Sequence, residues 1–225
     1  MSNRKQNTVC YLLSISFILM SFVLCAELLC FNTKYMNFIQ NHITLFDKSI
    51  TEYIGIDNDE LIKLDEATLN IIQGKEYDED ILNKYMHDYE IIHLIDCNGL
   101  NNKVLLIGGI SLVIFIISLI IFIKNKVSVY LLFKDYKYTL LIFGLIVIFI
   151  VFFALIDFYS FWQTFHHIVF PGNDRWLLSY RTDVLLMMVP QEFFEVLVGS
   201  ILALFVSICI IMWIILNSLR KKIYD

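Results

Sequence analysis

From residue 157 to residue 195 the chain reads DFYSFWQTFHHIVFPGNDRWLLSYRTDVLLMMVPQEFFE. Adjacent histidines (His166, His167), an Asn-Asp pair (Asn173, Asp174), two arginines (Arg175, Arg181) and Asp183 stand here among aromatic residues of the kind that settle where lipid meets water. A second set lies far upstream, where His93 and Asp96 fall within His-Leu-Ile-Asp and Cys97 follows. If residues 93 and 96 are helical they share one face, where a carboxylate can fix the tautomer of an imidazole. Imidazoles move protons near neutral pH, and guanidinium and amide groups hold anionic oxygens. A titratable cluster of this make-up at membrane depth is what an enzyme acting on a lipid-borne group needs.

Taken singly, most of these residues have a structural reading. A lone histidine in a loop is usually solvated or hydrogen-bonded, which applies to His42, His87 and His93. Of two adjacent histidines only one faces a given pocket, so His166 and His167 are not expected to work together. Phe158, Tyr159, Phe161, Trp162 and Phe165 fit an interfacial belt, and Arg175 and Arg181 suit either a phosphate or the headgroup layer. Glu192 and Glu195 follow Pro190 at a helix start, where negative charge is favourable. Glu27, inside an apolar segment, is a functional candidate because an intramembrane carboxylate is costly. The five cysteines make no disulfide framework. Cys10, Cys25 and Cys209 lie within apolar runs and Cys30 at the edge of one. Cys97 reads as a small residue rather than a nucleophile, since no positive group near it is evident in the sequence.

The elements that must position these groups are membrane helices. The chain has 225 residues, 58% hydrophobic and 17% charged, with two prolines and a mean hydropathy of +0.69. It is too apolar for an ordinary soluble domain and too short for a large transporter. Residues 8–31, 104–123, 138–156 and 191–217 are each long enough to span a hydrocarbon core of roughly 30 Å. The first is read as an uncleaved helix, because it is longer than a signal's apolar region and no small-x-small site follows it. Lysines in the 124–137 loop, Arg4 and Lys5 ahead of the first span and Arg220, Lys221 and Lys222 after the last place both termini and that loop in the cytoplasm. Residues 32–103, with fourteen acidic residues against six lysines, and residues 157–190 are then extracytoplasmic. The fold class expected is an all-α membrane protein of four transmembrane helices with a small extracytoplasmic cap of mixed helix and short strands. Within the cap, Asn58 to Gln73 reads as a helix stopped by Gly74. A second helical pattern runs through Leu82, Tyr85, Met86, Tyr89 and Ile92, and residues 43–56 are ambiguous between strands and turns. No basic patch points to nucleic acid.

The order and spacing of His-Leu-Ile-Asp at 93–96, Phe165-His166, Phe170, Asn173-Asp174, Trp176, Asp183 and Pro190-Gln-Glu-Phe-Phe194 resemble the lipoprotein intramolecular transacylase (Lit) family of bacterial membrane proteins. The resemblance covers nearly the whole chain in layout and is specific in two short blocks. It implies an acyltransferase of the cell membrane that works at the outer leaflet. Its substrate would be a lipoprotein N-terminus whose cysteine carries a diacylglyceryl group, with membrane lipid around it and no cofactor or metal. The sn-2 acyl chain would move to the cysteine α-amine and leave a lyso-form lipoprotein. The catalytic histidines would be His93 and His166, supported by Asp96, Asn173, Asp174, Arg175, Trp176 and Asp183, with His167 a bystander. Asp96 and Asp174 are the expected orienting groups and Asn173 an expected oxyanion donor. The chain departs from the family pattern at Cys97-Asn98, where Val-Lys is more usual, and at Tyr89, which replaces a basic residue. Two other classes stay open: a membrane hydrolase with zinc held by His93, His166 and outer carboxylates, and a non-enzymatic membrane scaffold. The absence of an HExxH-like spacing weighs against the first.

Overall fold

A computed structural model describes residues 1–224. In chain order its elements are α1 (Asn3–Cys30), α2 (Thr33–Gln40), β1 (Thr44–Leu45), β2 (Lys48–Ser49), α3 (Ile50–Ile54), α4 (Asn58–Gln73), α5 (Glu79–Tyr85), α6 (Asp88–Lys124), α7 (Val129–Ile156), α8 (Phe158–Val169), α9 (Val184–Met188) and α10 (Gln191–Tyr224). Four of them, α1, α6, α7 and α10, are long and apolar enough to cross a membrane. The chain divides into two units, one made of Met1–Cys25, Leu105–Trp162 and Leu202–Asp225, the other of Ala26–Val104 and Gln163–Ile201.

In the first unit apolar helices meet through aromatic rings. Phe22 lies 5.5 Å edge-on to Phe205 and 6.2 Å from Phe143, and Phe17 sits 6.1 Å from Tyr136. Lipid tails are as apolar as these side chains, so the association rests on close packing and on the few polar contacts available. The Tyr136 hydroxyl supplies one by donating to the Cys209 carbonyl at 2.9 Å. Gly108 permits another close approach, since a Cβ there would fall 2.9 Å from a Val23 methyl. On α7, Phe149 is 71% exposed, a surface that suits lipid and not water.

The second unit is built from short, well-capped helices. α4 has the bounds expected from sequence: Asp57 caps it by accepting from the Glu60 amide at 2.8 Å, and Gly74 closes it at φ 68°. The left-handed turn lets the Lys75 amide reach the Asn70 carbonyl at 2.9 Å. α2 and α5 pack on α4, and α3 on α9, around Ile39, Ile50, Leu61, Leu64, Leu82 and Met188, all buried. The ambiguous 43–56 stretch holds a two-stranded antiparallel ladder, Thr44 opposite Ser49 and Leu45 opposite Lys48, followed by α3. Its turn places Phe46 and Asp47 at positive φ, as a two-residue hairpin of this hand requires.

One expected helix is broken. The periodicity from Leu82 to Ile92 predicts a continuous run, yet α5 ends at Tyr85 and Met86 is extended. The Glu90 carboxylate accepts from the His87 amide at 2.8 Å, a capping arrangement that starts α6 afresh. From there α6 runs on for 37 residues through Gly99 and three asparagines, all weak helix formers. Two of their amides find partners away from the helix backbone: Asn98 donates to the Ile72 carbonyl at 2.9 Å and Asn102 to the Asn98 side chain at 3.2 Å.

Asp65 is fully buried in the second unit. Gln40 donates to its Oδ1 at 2.9 Å, while Asp65 Oδ2 and Gln40 Oε1 are buried without hydrogen-bond partners. A protonated carboxyl closes that arrangement, its O–H serving the amide oxygen while the amide N–H serves its carbonyl. Burial lifts the Asp65 carboxyl from 3.8 to about 7, against a smaller downward pull from Gln40. Because the folded value lies above the unfolded one, the stabilisation is complete below about pH 4 and is lost as pH rises towards 7. Asp65→Asn mimics the protonated acid and should remove this loss. Thermal unfolding in detergent is expected to show the variant more stable than the parent at pH 7.5 by on the order of 2–4 kcal/mol, with little difference near pH 4. Equal pH dependence in both proteins would refute the assignment.

Candidate functional site

His93 comes from the first turns of α6 and His166 from α8, and both are buried, at 7% and 5% exposure. Their ring centroids lie 6.1 Å apart with 39° between the planes. Phe170 borders both, 5.3 Å from His93 and 5.9 Å from His166. Trp176 stacks on His166 at 4.8 Å and 25°, and Phe165 meets the same imidazole edge-on at 5.1 Å. His167 is exposed and meets the edge of Trp176 at 5.1 Å. The adjacent histidines thus differ in placement, His166 within the buried ring cluster and His167 at the surface.

The loop after α8 is held by a compact polar network. Its Phe170 amide bonds back to the His166 carbonyl at 2.7 Å, and the Trp176 indole N–H donates to the Asn173 carbonyl at 2.8 Å. The Asn173 side chain accepts from the Arg175 amide at 2.9 Å, a local turn typical of asparagine. Across to α6, Asn173 Nδ2 donates to Asp96 Oδ2 at 2.6 Å, and Arg175 reaches both Asp96 oxygens, at 2.9 and 3.1 Å. A two-pronged guanidinium contact fixes orientation as well as distance. Asp96 sits one helical turn from His93, so the clamp sets the Trp176 loop, and with it the face of His166, against His93.

This differs from the expected support. Asp96 was assigned to the tautomer of His93, but its oxygens go to Arg175 and Asn173. The His93 Nε2 instead lies 3.7 Å from Cys97 Sγ, and its Nδ1 is buried without a hydrogen-bond partner. Asp174 is exposed and makes no side-chain hydrogen bond among the described residues; the turn carries Asn173 towards α6 and leaves its neighbour at the surface. Asn173 has one amide N–H committed to Asp96 rather than turned to a reacting oxygen.

Asp183 has a separate task. It accepts from the Tyr89 hydroxyl, from the Ser179 amide at 2.7 Å and from Thr182 at 2.7 Å. Burial alone would raise its carboxyl, but these hydrogen bonds hold it below the usual carboxylate range. Tyr89, where the resemblance leads one to expect a basic residue, still reaches this aspartate through its hydroxyl. Beside it, Glu90 accepts from the Leu185 amide at 2.8 Å as well as from His87. Among the described residues, His87, Glu90 and Asp183 are the group of three whose ligand atoms converge, within 4.8 Å. It includes neither His93 nor His166, and its carboxylate oxygens already accept protein hydrogen bonds, so the donor set does not favour a zinc centre built on the histidine pair. Glu27 is half-buried with no side-chain hydrogen bond among the described residues. Sequence reasoning missed Glu90, although Glu three residues after His87 is a recognisable capping signal. Cys97 follows His93 closely in sequence, and the structure places its sulfur against that imidazole.

Two buried imidazoles 6.1 Å apart, bordered by aromatic rings, form a site that can pass protons. Comparison with known proteins adds identity. The model of the family described as lipoprotein intramolecular transacylase Lit matches residues 11–194. A solved structure of the membrane integral lipoprotein intramolecular transacylase Lit from Bacillus cereus superposes with a TM-score of 0.79 at 18% identity, covering 98% of this chain and 100% of that one. A variant of the same Bacillus cereus protein with one histidine replaced by alanine gives 0.78 at 18% identity over 97% and 95% of the two chains. At this identity the likeness speaks for the fold alone. No curated protein sequence matches.

The clamp is testable apart from any reaction. Arg175→Ala should speed amide hydrogen exchange over residues 170–176 severalfold and leave α4 unchanged. Unaltered exchange in the loop would show that Asp96 and Arg175 do not hold it.

Proposed function

The chain belongs to the lipoprotein intramolecular transacylase (Lit) family and is an acyltransferase of bacterial lipoproteins, and from that premise we propose that His93 and His166 carry the transfer. The substrate is a lipoprotein N-terminus whose cysteine bears a thioether-linked diacylglyceryl group. Its α-amine attacks the sn-2 ester carbonyl, a C–N bond forms, the C–O bond to glycerol breaks, and the product is an N-acylated lyso-form lipoprotein. No atoms enter or leave, and an ester gives way to a more stable amide, so the balance calls for no cofactor. The observation that carries the assignment is the meeting of two buried imidazoles from distant segments, 6.1 Å apart.

The chemistry demands a base for the amine proton, stabilisation of the tetrahedral oxyanion and a proton for the departing glycerol oxygen. An α-amine titrates near pH 8 and histidine ordinarily near 6.5. Burial pulls His93 down to about 4, so it stays neutral with a lone pair to accept the amine proton as the C–N bond forms, and no activated serine or cysteine is required. One histidine takes the amine proton; the other, protonated, faces the oxyanion and then the leaving oxygen. The proton count then returns to its start when the two exchange a proton. Donor and acceptor belong to one molecule, so holding them at contact removes several kcal/mol of the barrier through orientation alone. Arg175, Asp96, Asn173 and Trp176 serve that positioning. Asp183 acts at one remove, by fixing the turn before α9.

We place the site at the outer leaflet, with both termini and the 124–137 loop in the cytoplasm. The lysine and arginine distribution supports this orientation. Residues 32–103 and 157–190 then form the extracytoplasmic cap and catalytic loop around spans 8–31, 104–123, 138–156 and 191–217. Exposed Ile168 and Leu177, near His166 and Trp176 in sequence, suit a site that opens to lipid.

His93→Ala and His166→Ala should each abolish conversion to the lyso form, by at least a hundredfold, at unchanged protein level in the membrane. Mass spectrometry of a reporter lipoprotein's N-terminus measures this directly. Full conversion by either variant would remove that residue from the mechanism.

A further inference from the structure

The contact between His93 and Cys97 bears on a question the histidine pair leaves open, namely which ring is the base. Nε2 of His93 lies 3.7 Å from Cys97 Sγ, one helical turn along α6, and Nδ1 is buried with no hydrogen-bond partner. Two neutral tautomers are available. If Nδ1 carries the proton, the thiol donates to a bare Nε2 and an N–H is left buried and unpaired. If Nε2 carries it, Nε2–H donates to sulfur and what remains unpaired at Nδ1 is a lone pair. Buried donors without partners are rarer and costlier in proteins than under-satisfied acceptors, so the second tautomer is favoured.

We propose that Cys97 is a positioning residue that accepts the Nε2–H of His93, presents the Nδ1 lone pair to the substrate amine and so makes His93 the base and His166 the acid. The surroundings of His166 agree. Its ring lies nearly parallel to Trp176 at 4.8 Å, and an indole face is a good seat for a ring that carries positive charge. The inference rests on the transacylase reading of the same site and adds the division of labour within it. Cys97 is not the nucleophile here: burial pushes its thiol up to about 12, so it stays protonated, and no bond to sulfur is made or broken.

The test uses the full-length protein in lipid nanodiscs with a synthetic diacylglyceryl lipopeptide. Nitrogen-15 NMR of histidine-labelled protein reports the tautomer, because a bare ring nitrogen resonates far downfield of a protonated one, and His93 is assigned by its absence from His93→Gln. The parent should show a bare Nδ1. Cys97→Ala should show a mixture of tautomers and a kcat lowered by roughly threefold to tenfold with KM unchanged, the scale of one modest hydrogen bond. Cys97→Ser, which keeps an acceptor in place, should recover most of both. A protonated Nδ1 in the parent, or a Cys97→Ala protein in which either the tautomer or kcat is unaltered, overturns the proposal. If His93→Ala remains fully active the transacylase assignment of His93 itself fails, whereas an inactive His93→Ala beside an unaffected Cys97→Ala refutes only the role of the thiol.

Discussion

A single carboxylate ties the site together. Asp96 projects from α6 one turn after His93 and receives three donated hydrogen bonds from the loop that follows α8, one from Asn173 and two from Arg175. That contact joins the Trp176 loop directly to the helix that carries His93. The pairing is economical in residues because each partner also has a local duty. Asn173 closes its own turn, and the backbone of that turn receives the indole N–H of Trp176. Orientation is what an intramolecular transfer most needs, since the reacting groups arrive already joined.

How much of this could be read from sequence depends on the range of the interaction. The four spans follow from apolar length, and α4 from a capping aspartate, a 3.6-residue pattern and a terminal glycine, all local signals. The break at Met86 and His87 defeats periodicity, because the apolar pattern runs straight across it and only Glu90 reports the new helix start. The partners of Asp96 lie beyond local signals for the same reason. His93 and Asp96 share a helix face, so the local reading paired them, whereas Arg175, 79 positions away in the chain, wins the carboxylate by a bidentate geometry no spacing rule contains. Asp174 and Asn173 look equivalent on paper. A turn separates them into a surface residue and an anchoring one. The convergence of His93 and His166 was expected only through the family resemblance. Composition gave no reason to join segments so far apart.

A second anchor holds the same helix. Tyr89 reaches Asp183 through its neutral hydroxyl. Together with Glu90 it binds the beginning of α6 to the segment before α9, so the helix that carries His93 is anchored at its start as well as through Asp96. Neither anchor uses the Nδ1 of His93, and burial pulls that imidazole down to about 4, so it rests neutral and able to accept a proton.

The unpaired Nδ1 of His93 has a further consequence. A buried polar atom with no partner costs a fold roughly 1–3 kcal/mol, and a leucine of similar bulk would be free of that cost. The imidazole at residue 93 therefore costs stability where it sits, and replacing it with leucine should yield a more heat-resistant protein.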